Sequence, residues 1–135
     1  MKVVIMGCGR IGAEVATRLW RDGNQVAVLD LEPESFYRLP QGLRETEGAT
    51  LVGDGMLQED LTRVGMRGAD VFVAATASDS RNALASQKAR HIFQVPRVVC
   101  RVGDLTRKEM YQELGLTPVS PTDVTTALIV DAVGA

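Results

Sequence analysis

At 135 residues the chain has room for one domain with a real core, and no room for a nucleotide domain joined to a full substrate domain. Lys+Arg 15 against Asp+Glu 17 gives a net charge of -2, which argues against a general nucleic-acid or anionic-membrane surface. No apolar stretch approaches the roughly 18 residues of a membrane span, and the N-terminus runs straight into an apolar pattern without a charged leader, so a cytosolic protein is expected.

The first apolar run, Val3-Val4-Ile5-Met6, predicts a strand over 2–7. It feeds the glycine-rich turn Gly7-Cys8-Gly9-Arg10-Ile11-Gly12, and a helical pattern then runs over 10–22. Three glycines at this spacing mean little alone, but between a strand and a helix they have a physical purpose. Gly7 lets the chain turn out of the strand, Gly9 leaves room for backbone N–H groups to approach a pyrophosphate, and Gly12 permits close helix–strand packing. The helix N-terminus then points unpaired N–H groups and its positive dipole end at the phosphates.

A second strand, 25–30, ends in Asp30, near the spacing of about 20 residues at which an acidic residue receives an adenosine ribose. A carboxylate there repels a 2′-phosphate, so NAD(H), ATP, ADP or AMP is expected in preference to NADP. Further strands are expected at 49–53, 70–76, 97–102 and 117–120, with helices at 33–40, 56–65, 80–93 and 104–115. Ser80 and Asp104 are candidate helix caps.

Strands alternating with helices predict an α/β fold, a Rossmann-type doubly wound sheet of six parallel strands. Right-handed crossovers give the order 3-2-1-4-5-6, with a ligand crevice at the carboxyl ends of the first and fourth strands. The loops Gly53-Asp54-Gly55 and Thr76-Ala77-Ser78-Asp79 then border the crevice, and small residues at 75, 77 and 78 keep its floor open. Asp54 is either a turn or cap residue or, with the adjoining backbone, the reader of the adenine edge. Asp79 and Asn82 read as groups that cap and orient a helix start.

After Ser120-Pro121, the spacing of Val124, Leu128, Ile129 and Ala132 predicts an amphipathic helix of about three turns. The expected division is a nucleotide-binding domain over 1–120 and a terminal crossover-type helix over 121–135. That helix packs on its own sheet, docks on another subunit, or belongs to something longer. Cys8 and Cys100 show no metal or redox spacing and read as small buried thiols. Ala83, Leu84, Ala85 and Ala89, with Met110, Tyr111 and Leu114, form a candidate subunit surface, although sheet packing accounts for most of them.

Gly7-x-Gly9-Arg10-x-Gly12, Asp30-Leu31-Glu32, Gly53-Asp54-Gly55, Ala75-Thr76-Ala77-x-Asp79-x-x-Asn82, Val99-Cys100-Arg101, Leu114-Gly115 and Val119-Ser120-Pro121 together resemble the nucleotide-binding N-lobe of regulator-of-potassium-conductance domains of the TrkA/KtrA type. The resemblance covers essentially the whole chain. It implies a gating subunit of a potassium uptake system or channel, peripheral to the inner membrane through its membrane partner. It also implies a homodimer or larger ring whose shape responds to a bound adenine nucleotide. Arg10 is the expected discriminator between nucleotides, because its guanidinium can meet a β- or γ-phosphate. Arg101 is expected to assist from the same or a neighbouring subunit. Members of this family commonly carry a smaller C-terminal lobe after the crossover helix, and this sequence stops within or just after that helix.

The implied role is regulatory, without catalysis or metal. His91, the one histidine, falls late in a helix, and no Tyr-x-x-x-Lys pair or nucleophile–base spacing is present. An NAD-dependent dehydrogenase fragment and an NADH-sensing module remain the alternative readings.

Overall fold

Strand β1 (Lys2–Met6) is central, with a neighbour paired along each edge and a core layer packed on each face. β2 (Gln25–Asp30) lies parallel on one side, with Met6 opposite Leu29, and β4 (Val71–Ala74) on the other, with Met6 opposite Ala74. β3 (Thr50–Val52), β5 (Arg97–Arg101) and β6 (Thr117–Val119) complete a six-stranded parallel sheet of order β3-β2-β1-β4-β5-β6. This is the order expected of a Rossmann-type doubly wound sheet with right-handed crossovers. The computed structural model describes residues 1–134.

Strand alternation sends side chains into two layers. Val3, Ile5, Val26, Val28 and Val71 meet Ala13 and Ala16 of helix α1 (Arg10–Arg21), together with Phe36, Leu39 and Leu43. Val4, Met6, Leu29, Phe72 and Cys100 fill the opposite layer. There they meet Leu61 of α3 (Gln58–Arg63), Ala85 and Ala89 of α4 (Asp79–His91) and Tyr111 of α5 (Lys108–Glu113). Each fully buried side chain such as Ile5 or Phe72 contributes about 1.5–3 kcal/mol of transfer free energy.

Three expectations need correction. The helix expected over 33–40 is a 3-10 turn, Pro33–Arg38, followed by a short helix α2 (Gln41–Arg44). Pro40 separates the two, since proline restricts Leu39 before it to extended backbone. Helix α4 is capped by Ser78, which accepts the Arg81 N–H, rather than by Ser80. Asp104 turns the chain by accepting the Thr106 N–H, whereas α5 begins only at Lys108 with Arg107 as its cap.

The last element, α6 (Pro121–Gly134), buries none of its residues. Val124, Leu128, Ile129, Val130 and Val133 are all exposed, so the apolar surface wraps the helix instead of forming one inward stripe. The α1 side of β4, β5 and β6 likewise carries no covering helix. It presents a groove of about 380 Å³ bordered by Ile11, Val73, Val99 and Val119 and flanked by Arg97 and Arg101. In the proposed subunit surface, Ala85, Ala89 and Tyr111 are core residues, while Leu84 and Met110 are exposed. No helix among the described residues is long and apolar enough to cross a membrane.

Candidate functional site

The glycine turn owes its shape to two close approaches. Gly7 has φ +106, and a side chain there would meet the Ala75 carbonyl carbon and the Thr76 nitrogen at 3.0 Å. Gly12 lies closer still, because a Cβ would stand 1.9 Å from the Gly7 carbonyl oxygen. The constraint at Gly12 is therefore on the turn itself, and the packing against β1 follows from it. Gly9 differs from both, with nothing within 4 Å of where its side chain would be. Its open surface lies over the first turn of α1, where N–H groups lack helical partners.

Asp30 ties the second strand to this turn. Its Oδ2 accepts the Cys8 N–H at 2.7 Å and its Oδ1 accepts the Glu32 N–H at 2.8 Å. The carboxylate is thus fixed in place while each oxygen keeps a further lone pair for a hydroxyl. Cys8 directs its thiol away from the turn, donating to the Ser35 carbonyl at 3.4 Å. Burial and the nearby Asp30 push the Cys8 thiol up to about 11, so at neutral pH it is an inert core group, as is buried Cys100.

Between these elements lies a crevice of about 280 Å³. Gly7, Asp30, Leu31, Glu32, Gly55, Thr76 and Ala77 line it, together with Met6 and Arg81. The floor is closed at Gly55, where a side chain would run into the Met6 sulfur. Arg10 opens α1 three residues after Gly7 and is exposed to solvent, outside the residues that line the crevice.

The loop after β4 is held by Asn82, which is fully buried. Its Oδ1 accepts the Thr76 N–H at 3.0 Å and the Thr76 hydroxyl at 2.6 Å, and its Nδ2 donates to the carbonyls of Thr76 and Arg101. One side chain therefore joins the ends of β4 and β5. Asn82→Ala should cost about 2–3 kcal/mol, from the unsatisfied groups it leaves behind, read as a lower urea midpoint with an unchanged slope.

Four expected site residues are placed elsewhere. Arg101 lines the apolar groove on the α1 side of the sheet, since Cys100 next to it points into the α4 and α5 layer and alternation turns Arg101 the other way. Ile11 and Ala75 border the same groove, although the Ala75 backbone also supports Gly7. Asp54 turns its carboxylate onto Arg81, with Oδ1 2.5 Å from Arg81 Nη2 and accepting the Met56 N–H at 2.9 Å. These contacts, the Met56 N–H first, hold the Asp54 carboxyl below the usual carboxylate range.

Arg81 was not foreseen as a site residue. Its only signal in the sequence was its place one turn into the helix that follows the fourth strand.

Comparison with known proteins adds an independent line. A family profile described as the TrkA-N domain matches residues 3–121. The chain is 39% identical over 120 residues to the Trk system potassium uptake protein TrkA of Streptomyces coelicolor, an alignment covering 89% of this chain and 52% of that protein. The chain thus spans about half the length of this relative, and a similar share of a TrkA homolog from Pyrococcus abyssi, 31% identical over 114 residues and covered to 49%.

Among solved structures, the TrkA-N domain of the inner membrane protein ybaL from Escherichia coli superposes with a TM-score of 0.83 at 14% identity, covering 97% of this chain and 95% of that one. GsuK bound to ADP gives a TM-score of 0.77 at 22% identity over 95% of this chain and 32% of that one, and the GsuK channel has also been solved bound to NAD. At these identities the likeness is one of fold.

Proposed function

The chain belongs to the TrkA-N domain family, and from that membership we propose that it is the nucleotide-binding regulatory unit of a potassium uptake system or channel, responding to an adenine nucleotide and catalysing no reaction itself. The observation that carries the reading is that Asp30 lines the crevice, fixed by the Glu32 N–H and by the N–H of Cys8, whose neighbour Gly9 has open backbone at the start of α1. A ribose held at Asp30 directs its 5′-phosphates to the N-terminus of α1, where backbone N–H groups and the helix dipole favour anions.

In this reading Gly7, Cys8, Gly9, Ile11 and Gly12 shape the phosphate turn, and Asp30, Leu31 and Glu32 border the ribose. Gly55, Thr76 and Ala77 enclose the base side, and the Ala75 backbone supports the turn. Arg10, exposed at the start of α1, meets the terminal phosphate and separates ATP from ADP and AMP. Residues 1–120 form the binding unit, and helix α6 forms a separate connecting element.

A regulatory role also fits the placement of His91, which ends α4 exposed and at the end of that helix remote from the crevice loops. The ADP- and NAD-bound forms of GsuK support an adenine nucleotide as the ligand. The unit acts on a membrane partner from the cytosolic side. An apolar helix without a buried residue and an uncovered apolar groove support assembly with a second copy, in a dimer or a larger ring.

Calorimetric titration with ATP, ADP, AMP, NAD and NADH tests the proposal, with sedimentation of the same samples as the readout of assembly. ATP and ADP should bind with different affinities, and Arg10→Ala should remove that difference while leaving binding itself in place. Loss of one charge-assisted phosphate contact corresponds to roughly 1.5–3 kcal/mol, about ten- to a hundredfold. A protein that binds none of the five nucleotides overturns the proposal.

A further inference from the structure

Four contacts clamp the loop after β3 in place. Asp54 donates its backbone N–H to Asp60 Oδ2 at 2.9 Å, and its Oδ1 accepts from Met56 N–H and from Arg81 Nη2. About two turns further along the same face of α4, Lys88 Nζ donates to the Met56 carbonyl at 2.6 Å. The third-strand loop is therefore fastened to α4 by two cationic side chains, and Arg81 is the one that borders the crevice.

The position of Arg81 along the crevice follows from the polarity of the site. If Asp30 holds the ribose and the Gly7–Gly12 turn holds the phosphates, the base must extend from the ribose in the remaining direction, toward Gly53 and Gly55 at the end of β3. Arg81 reaches residue 54 at that end. Its side chain is 33% exposed although ion-paired, and it lines the crevice. The bond to Asp54 is made through Nη2, at one edge of a planar group, so this bond itself does not occupy the flat faces of the guanidinium.

Resting on the nucleotide reading above, we propose that Arg81 is a base-contacting residue of the crevice, its guanidinium plane forming the wall on which the nucleotide base stacks. Asp54 is the positioning residue that holds this plane. A free arginine loses rotamer freedom when it stacks on a ligand, and a pre-held one has already lost it. Because every base has a π-face, such a wall strengthens binding without choosing between purines. Arg10 and Arg81 then divide the ligand, one at the phosphate end and the other at the base end.

The test titrates the whole chain and its Arg81→Ala, Arg81→Met and Asp54→Asn variants with ADP and GDP, and with ribose 5-phosphate as a base-free competitor of ADP. Arg81→Ala is expected to weaken ADP and GDP alike by roughly three- to thirtyfold, with ribose 5-phosphate competing as well as it does against the parent. Arg81→Met retains the aliphatic stem, so an equal loss in that variant assigns the effect to the guanidinium even if the alanine variant folds poorly. Asp54→Asn should give a smaller loss in the same direction. If ADP binding to Arg81→Met stays within twofold of the parent, or if ribose 5-phosphate weakens as much as ADP does, the base-wall assignment is overturned while the nucleotide reading stands. If the parent chain binds no ADP, the nucleotide reading fails first and the base-wall assignment with it.

Discussion

Gly12→Ala should lower stability by about 3 kcal/mol or more, the range in which a backbone clash exceeds ordinary point-mutant effects. The added Cβ would stand 1.9 Å from the Gly7 carbonyl oxygen and 2.9 Å from its carbonyl carbon. Neither atom belongs to a side chain that can rotate away, so either α1 lifts from the sheet or the turn opens. Lifting α1 uncovers Ala13 and Ala16, which lie against β1 and β2. The urea midpoint reads this directly. Gly9→Ala is the matching control, because its Cβ meets nothing and its φ of -77 is ordinary for alanine. That variant should remain folded within about 1 kcal/mol of the parent yet lose nucleotide affinity, since the methyl group occupies the approach to the helix N-terminus. A Gly12→Ala protein with an unchanged midpoint would falsify the claim that this contact sets the seat of α1.

Asp30→Ala should weaken ADP binding by about a hundredfold or more. In the proposed site, two ribose hydroxyls would each lose a hydrogen bond to a carboxylate, at about 1.5–3 kcal/mol apiece, and each 1.4 kcal/mol is a factor of ten. The substitution also releases the Cys8 and Glu32 N–H groups, so the phosphate turn loses its tie to β2. Asp30→Asn separates the two effects. Its amide retains one acceptor, which can hold either backbone N–H but not both, and binding should recover only in part. Calorimetry gives the affinities, and a melting curve without ligand shows how much of the loss comes from a loosened turn. Undiminished ADP binding by Asp30→Ala would remove the ribose from this site.

The features legible in the sequence were those set by local backbone requirements. Gly7 and Gly12 sit where no other residue fits, the continuous apolar run of β1 marks a strand with neighbours on both edges, and alternating elements with right-handed crossovers leave little freedom in strand order.

Features that depend on distant partners were not legible. Arg81 looks like any solvated helix charge until the fold brings Asp54 to it across 27 positions of chain. The direction of Arg101 rests on strand parity, which one residue of uncertainty in the boundary inverts. The broken second crossover was readable after all, since Pro40 stood inside the expected helix and proline seldom lets one continue. For α6 the periodicity was misleading, because every turn of that helix carries apolar residues and spacing alone could not show that they cover nothing.

Helix α4 is bonded to three loops at once. Arg81 and Lys88 reach the loop after β3, Asn82 holds the loop after β4 together with the end of β5, and Asp79 accepts the Gly103 N–H beyond β5. Loops that enclose a ligand usually move independently, but here they share one rigid rod of 13 residues, about 20 Å long. A ligand that reset their spacing without breaking these bonds would tilt that rod. A tilt of about 5° at the crevice end displaces the His91 end by about 2 Å at that length. If the crevice is the nucleotide site, the helix would act as a lever arm, carrying a change at the carboxyl edge of the sheet to its amino edge.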